Sequence, residues 1–278
     1  MRDKRFKEVF RDHWIRTGLA IILFVLITAT IGSFASPHDP HDIQFIPLSA
    51  PSAQHWLGVN DGGMDIWAEL LAGLRNTLWF GLLGGTAALA LGIAIGVSSA
   101  WYGGVYDRIC MRLGDVLLAI PVVMPLILVA VLMRPSPEAI ALLLAIFSWP
   151  TTAKGLRAQA LAVRNRAHIR AAQRMGAGGG YIVTRHLLPE LFPLYPIGWV
   201  AKIRMAIFME VSLAFLGLFS PERKSLGVMI RDAIEFYYLD LWWHWLLPPV
   251  LCLTLILMSL TFIAIGLEQI FDPRLKDG

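Results

Sequence analysis

Apolar positions along the chain fall into long blocks separated by short polar breaks, and within each block they show neither a strict alternation nor a clean one-sided helical stripe. A helix needs about 20 mostly apolar residues to cross roughly 30 Å of hydrocarbon, because backbone groups left unpaired in lipid are costly. Six stretches meet or approach that length: Gly18–Ala35, Thr77–Trp101, Leu113–Met133, Ala139–Ala160, Leu194–Phe219 and Leu246–Leu267. The pattern therefore predicts an all-α polytopic membrane protein with six transmembrane helices. The first stretch follows basic residues and precedes Ser36, as in a cleaved signal peptide, but it is long for that role and reads as a retained signal-anchor helix.

Composition agrees. Of 278 residues, 56% are hydrophobic and 16% charged, with mean hydropathy +0.62, against about 45–50% and about 25% in soluble domains. The 24 Gly and 16 Pro show no triplet period, so fibrous and disordered classes fall away. Cys110 and Cys252 lie far apart, in an expected cytoplasmic turn and inside a span, which argues against a disulfide or metal framework. The net charge of +4 comes from basic residues dispersed between apolar blocks, so nucleic acid is not expected as a partner.

Those basic residues orient the chain, since cytoplasmic loops accumulate Lys and Arg. Residues 1–16 hold Arg2, Lys4, Arg5, Lys7, Arg11 and Arg16. The turn after the second span holds Arg108 and Arg112, and residues 151–190 hold Lys154, Arg157, Arg164, Arg166, Arg170, Arg174 and Arg185. With Arg274 and Lys276 in the tail, both termini are expected in the cytosol, leaving only Arg75, Arg134, Arg223, Lys224 and Arg231 outside. Trp79, Trp101, Tyr102, Tyr237, Tyr238, Trp242, Trp243 and Trp245 fall where spans should meet headgroups, or else fill space between helices.

About 40 residues separate the fourth and fifth spans, far more than an idle helix connection needs. RAQALAVRNRAHIRAAQR from Arg157 is rich in helix formers and should lie along the cytoplasmic surface, stopped by GAGGG. Gly176, Gly178, Gly179 and Gly180 allow a sharp end and a new helix through Tyr181 to Leu187, and Pro189, Pro193 and Pro196 break the path beyond. Small Ala171 and Ala172 are expected to admit a partner surface.

RAAQRMGAGGGYIVTRHLLP resembles the EAA loop of ABC importer permeases, which reads Glu-Ala-Ala, three residues, Gly, nine residues, then Ile-x-Leu-Pro. Ala171, Ala172, Gly176, Leu188 and Pro189 match in register, whereas Arg170 replaces Glu and His186 replaces Ile. HWLGVNDGGMDIWAELLAGLRNTL at 55–78, WYGGVYDRICMRLGDVLLAIP at 101–121, EVSLAFLGL at 210–218 and FDPRLK at 271–276 resemble further blocks of the dipeptide, oligopeptide and nickel branch, in its C-type subunit. Asp65 matches there and Met64 replaces an Arg.

The resemblance implies a MetI-like permease: a first unit over residues 1–76 (cytoplasmic tail, first helix, external segment) and a five-helix core over 77–278 with a coupling loop at 161–190. It implies a second, B-type permease subunit, two cytosolic ABC ATPase subunits and an extracytoplasmic substrate-binding protein in the inner membrane. Peptides, or nickel and other chelated metals, would be the cargo. No catalytic residue and no cofactor is expected on this chain; ATP and Mg belong to the ATPases, and GAGGG followed by Tyr181 lacks the Gly-Lys-Ser/Thr ending of a phosphate loop. At Arg170, pairing with an acidic residue of the ATPase and a plain positive-inside role both remain open.

Lys202, Arg204 and Glu210 fall in or near the fifth span, where charge is expensive and faces protein or a water-filled path. Lys202 and Arg204 sit about 200° apart on a helix, so they cannot share one lumen. Lys202 and Met209 are the candidates for the path, with Glu210 pairing within the bundle; snorkelling of Lys202 to headgroups is the competing reading. His38, Asp39, His41 and Asp42 in SPHDPHD are read as a proline turn leaving the first span rather than as metal ligands. Two other classes remain open: a membrane enzyme would require paired carboxylates, or a His with a nucleophile, convergent at one depth, where the spans offer only scattered charges, and a scaffold or receptor without transport activity would not need the long glycine-broken loop.

Overall fold

The computed structural model describes residues 12–35, 37–219, 223–239 and 242–271. Among them the regular structure is helical: α1 (His13–Ala35), α2 (Ile66–Tyr102), α3 (Gly104–Ala119), α4 (Val123–Met133), α5 (Pro137–Arg164), α6 (Ala167–Arg174), α7 (Gly179–Ile182), a π-helical turn (Val183–Leu187), α8 (Leu188–Leu191), α9 (Leu194–Phe215), α10 (Leu226–Glu235), α11 (Trp242–Trp245) and α12 (Leu247–Phe271). The basic residues at 1–11, Ser36, and Asp272 with the rest of the FDPRLK motif and tail lie outside the described residues.

Four helices, α1, α2, α5 and α12, are long and apolar enough to cross a membrane, and α3 with α4 makes a fifth such span if the pair is one broken helix. α9 has the length, 22 residues, but carries Lys202, Arg204 and Glu210. The third expected span is corrected: in place of one helix over Leu113–Met133, α3 starts at Gly104 and meets α4 at 76°. Pro121 is the cause, since it lacks an N–H and pushes Ile120 into extended backbone, φ −99° and ψ 122°. The second span begins 11 residues earlier than expected, so the proposed division after residue 76 falls inside α2.

Asp65 sets that start. Its backbone is extended and its Oδ1 accepts from the Ala68 amide at 2.8 Å, a side-chain cap on the helix N-terminus. The 37 residues that follow span about 55 Å, and α2 becomes the spine against which α5 and α9 lie. Close approach is secured by glycine: a Cβ on Gly85 would lie 2.7 Å from the Ile203 amide nitrogen of α9, and one on Gly96 2.5 Å from the Ala153 carbonyl oxygen of α5. Lipid tails are as apolar as the side chains they would replace, so such backbone-level contact is the main source of helix association.

α3 is held along α5 by charge. Asp107 takes a two-pronged contact from Arg157, and Asp115 pairs with Lys154. Its apolar residues Val105, Ile109, Leu113 and Val116 remain exposed.

At the end of the bundle where α2 starts, residues 37–65 fold over α10 and α11. Glu69 and Lys224 form an ion pair of 2.9 Å with both side chains buried, and Asn60 donates to Glu69 at 3.0 Å. His244 donates from Nδ1 to the Leu57 carbonyl at 2.7 Å and is itself buried. The aromatic residues divide: Trp79, Tyr102, Tyr237, Tyr238 and Trp243 are exposed as interfacial anchors should be, whereas Trp245 is buried against Phe236 and serves packing.

Two predictions follow from these contacts. Gly96→Leu should destabilise the chain by about 3 kcal/mol through overpacking, while Gly155→Ala, whose Cβ meets open space on α5, should be neutral or gain up to about 1 kcal/mol; thermal unfolding in detergent distinguishes them. Burial holds the His244 imidazole below its ordinary pKa, so its contribution to stability is complete above about pH 6.5 and is lost as acid protonates it through the lowered value. Melting temperature should therefore fall below pH 6.5, and His244→Gln should flatten that profile.

Candidate functional site

Beyond α5 the chain turns at Asn165 and Arg166 into α6, and the end of α6 is built as the glycines suggest. The Ala177 amide donates to the Ala172 carbonyl at 3.0 Å and the Gly176 amide to Gln173 at 3.1 Å, with Gly176 at φ +82°. This is a helix stop that only a residue tolerant of left-handed backbone closes without strain. Beneath it Ile169, Ala172 and Ile182 pack on Trp101 at the far end of α2. Trp101, expected at the interface, thus belongs to a small core, and a Cβ on Gly179 would strike its Nε1 at 2.9 Å.

The second helix of the unit differs from a continuous Tyr181–Leu187 helix. It is a short α7 followed by the π turn and α8, a widening that accommodates Pro189, whose ring would otherwise clash with the carbonyl one turn back. Glu190 then reaches back to both Arg166 and His168, closing the elbow on itself. Arg164 adds a bond to the Ala100 carbonyl at 2.8 Å and covers the Trp101 ring.

The root of this elbow is therefore packed and its tip is open. Met175 is 81% and Tyr181 56% exposed. Arg170 is exposed, and its Nη2 donates to the Asn165 side chain at 3.4 Å. Ala171 faces out but Ala172 faces in, which corrects the expectation that both form an approach surface: neighbours on a helix point about 100° apart. Pro189 is exposed, Leu188 packs with Val97 and Ala100 of α2, and His186 lies between the rings of His168 and Tyr181.

The charged residues of α9 separate as their spacing requires. Lys202 is 8% exposed and donates to the Ser148 carbonyl and, at 2.7 Å, to the Thr151 hydroxyl, bridging α9 to α5. Glu210, also buried, accepts from Thr77 at 3.0 Å, and that hydroxyl in turn accepts from the Leu226 amide at 3.2 Å. Met209 is half-buried beside the core around Phe80 and Ile140. Arg204 is on the open side with Phe208, its Nη1 3.3 Å from the Thr261 hydroxyl.

Sequence reasoning missed Glu190, Thr77 and the Glu69–Lys224 pair. Glu190 had a visible signal: it is the only acidic residue between 151 and 190, among seven basic ones. The other two meet across 133 to 155 residues of chain and left no local trace.

Residues 89–277 match the family model described as binding-protein-dependent transport system inner membrane component. The chain is 31% identical to the glutathione transport system permease protein GsiD of Pectobacterium atrosepticum, covering 99% of this chain and 95% of that one. It is also 31% identical to the dipeptide transport system permease protein DppC of Bacillus subtilis, over 98% of this chain and 85% of that one.

Glu190→Gln should loosen the elbow without unfolding the bundle. For partly exposed pairs the loss is about 0.5–1 kcal/mol and shrinks as salt rises, to be read as faster amide exchange across residues 167–174 at low ionic strength and little change at high.

Proposed function

The chain belongs to the family of binding-protein-dependent transport system inner membrane components, and on that premise we propose that it is the C-type permease subunit of a peptide importer, driven through its elbow by separate ATPase subunits. It makes and breaks no bond itself; ATP is hydrolysed, with Mg, in the partner subunits. The relatives named for dipeptide and for glutathione, a tripeptide, favour small peptides over nickel or another metal chelate.

The observation that carries the coupling role is the contrast between root and tip. A lever must be rigid where it joins the moving helices and free where it is gripped. Ile169, Ala172 and Ile182 clamp the elbow to Trp101 of α2, while Arg170, Ala171, Arg174, Met175 and Tyr181 stand clear. Of two cytosolic ATPases, one would receive this tip and the other would serve a B-type permease partner, and Arg170 would meet a carboxylate on its ATPase. Basic residues crowd the elbow end, so that end and both termini are assigned to the cytoplasm, and residues 37–65 to the side where a binding protein delivers cargo. The exposed apolar side of α3 and the open side of α9 with Arg204 supply surface for the second permease and the path between the two. Lys202 and Glu210 act on that path from behind, by holding α9 against α5 and α2, which leaves half-buried Met209 as the candidate for its lining.

Reconstituting the four-subunit complex in nanodiscs tests this. Arg170→Glu should lower peptide-stimulated ATP hydrolysis by about tenfold, the cost of one interfacial charge contact, with Arg170→Lys close to the starting rate. Retention of the ATPases and of peptide-stimulated hydrolysis after removal of residues 167–178 would refute the coupling role.

A further inference from the structure

Three side chains separated by 10 residues or more converge above the first turn of α2. His55 Nδ1 lies 2.7 Å from Asp65 Oδ2, and His38 Nδ1 lies 3.6 Å from the same oxygen. One ligand atom from each falls within 4.8 Å of the other two. The two imidazoles stack with centroids 4.7 Å apart, and Phe45 stands edge-on to both at 4.8 Å and 4.4 Å.

We propose that His38, His55 and Asp65 bind a divalent transition metal ion of the zinc class on this loop. Two imidazole nitrogens and one carboxylate oxygen form a borderline ligand set suited to such an ion, and three protein ligands leave a fourth position for water or an incoming donor. Tetrahedral bonds of about 2.0–2.2 Å place ligand atoms roughly 3.3 Å apart, and the distances to Asp65 Oδ2 bracket that value. The carboxylate is already oriented: its other oxygen caps α2 at Ala68, so the helix N-terminus serves as the outer partner that fixes a metal ligand. Asp65 is 2% exposed, while the His38 and His55 side chains are 21% and 13% exposed, so the cluster is open on one side for entry. Two imidazole nitrogens thus lie within 3.6 Å of one carboxylate oxygen. Bound metal would tie residues 38, 55 and 65 together and fix the loop that displays Ile43, Ile46 and Trp56 to the end of α2.

The test uses the purified complex, stripped with chelator and dialysed against Zn²⁺. The unaltered complex should retain one more Zn²⁺ per permease chain than a His38→Ala/His55→Ala variant, and Co²⁺ should give visible tetrahedral d–d bands only in the former. His38→Ala alone, which leaves the His55–Asp65 bond in place, should weaken Zn²⁺ binding by about tenfold or more. His41→Ala, an exposed neighbour outside the cluster, should change neither readout. Equal Zn²⁺ content in the double variant, or unchanged affinity in His38→Ala, would overturn the proposal.

Discussion

Helices in a bilayer gain nothing by hiding apolar side chains from one another, so what holds this bundle is how closely the backbones approach α2. Gly85 and Gly96 mark that constraint: at each, a single added carbon would intrude on the backbone of α9 or α5. Once these surfaces touch, the costly charges of the bundle find their partners as a consequence. Lys202 reaches Ser148 and Thr151, and Glu210 reaches Thr77, only because α9, α5 and α2 lie at backbone distance.

The same helix joins the two ends of the molecule. At its start Asp65, Glu69 and Thr77 anchor the 37–65 loop and the α10 turn; at its finish Ala100 and Trp101 seat the elbow. The elbow and the loop are thus held at opposite ends of one helix.

α3 and α4 show a different balance. Two acidic residues bind α3 to α5, yet its apolar side chains stay uncovered and Pro121 turns α4 away at 76°. In the single chain that apolar surface is left uncovered.

Much of this architecture was legible in the residues alone. Apolar blocks set by the thickness of the bilayer marked the four helices α1, α2, α5 and α12 that are long and apolar enough to cross it, and the glycine run at 176–180 with its flanking alanines and arginines marked the elbow, because helix stops and left-handed turns are local properties. Local chemistry ends there. Which of Ala171 and Ala172 turns inward, that Lys202 reaches Ser148 and Thr151 of α5, and that His38, His55 and Asp65 share one corner depend on contacts between segments up to tens of residues apart. Pairings at that range carry no periodicity or spacing of their own, and they were settled only when the helices packed.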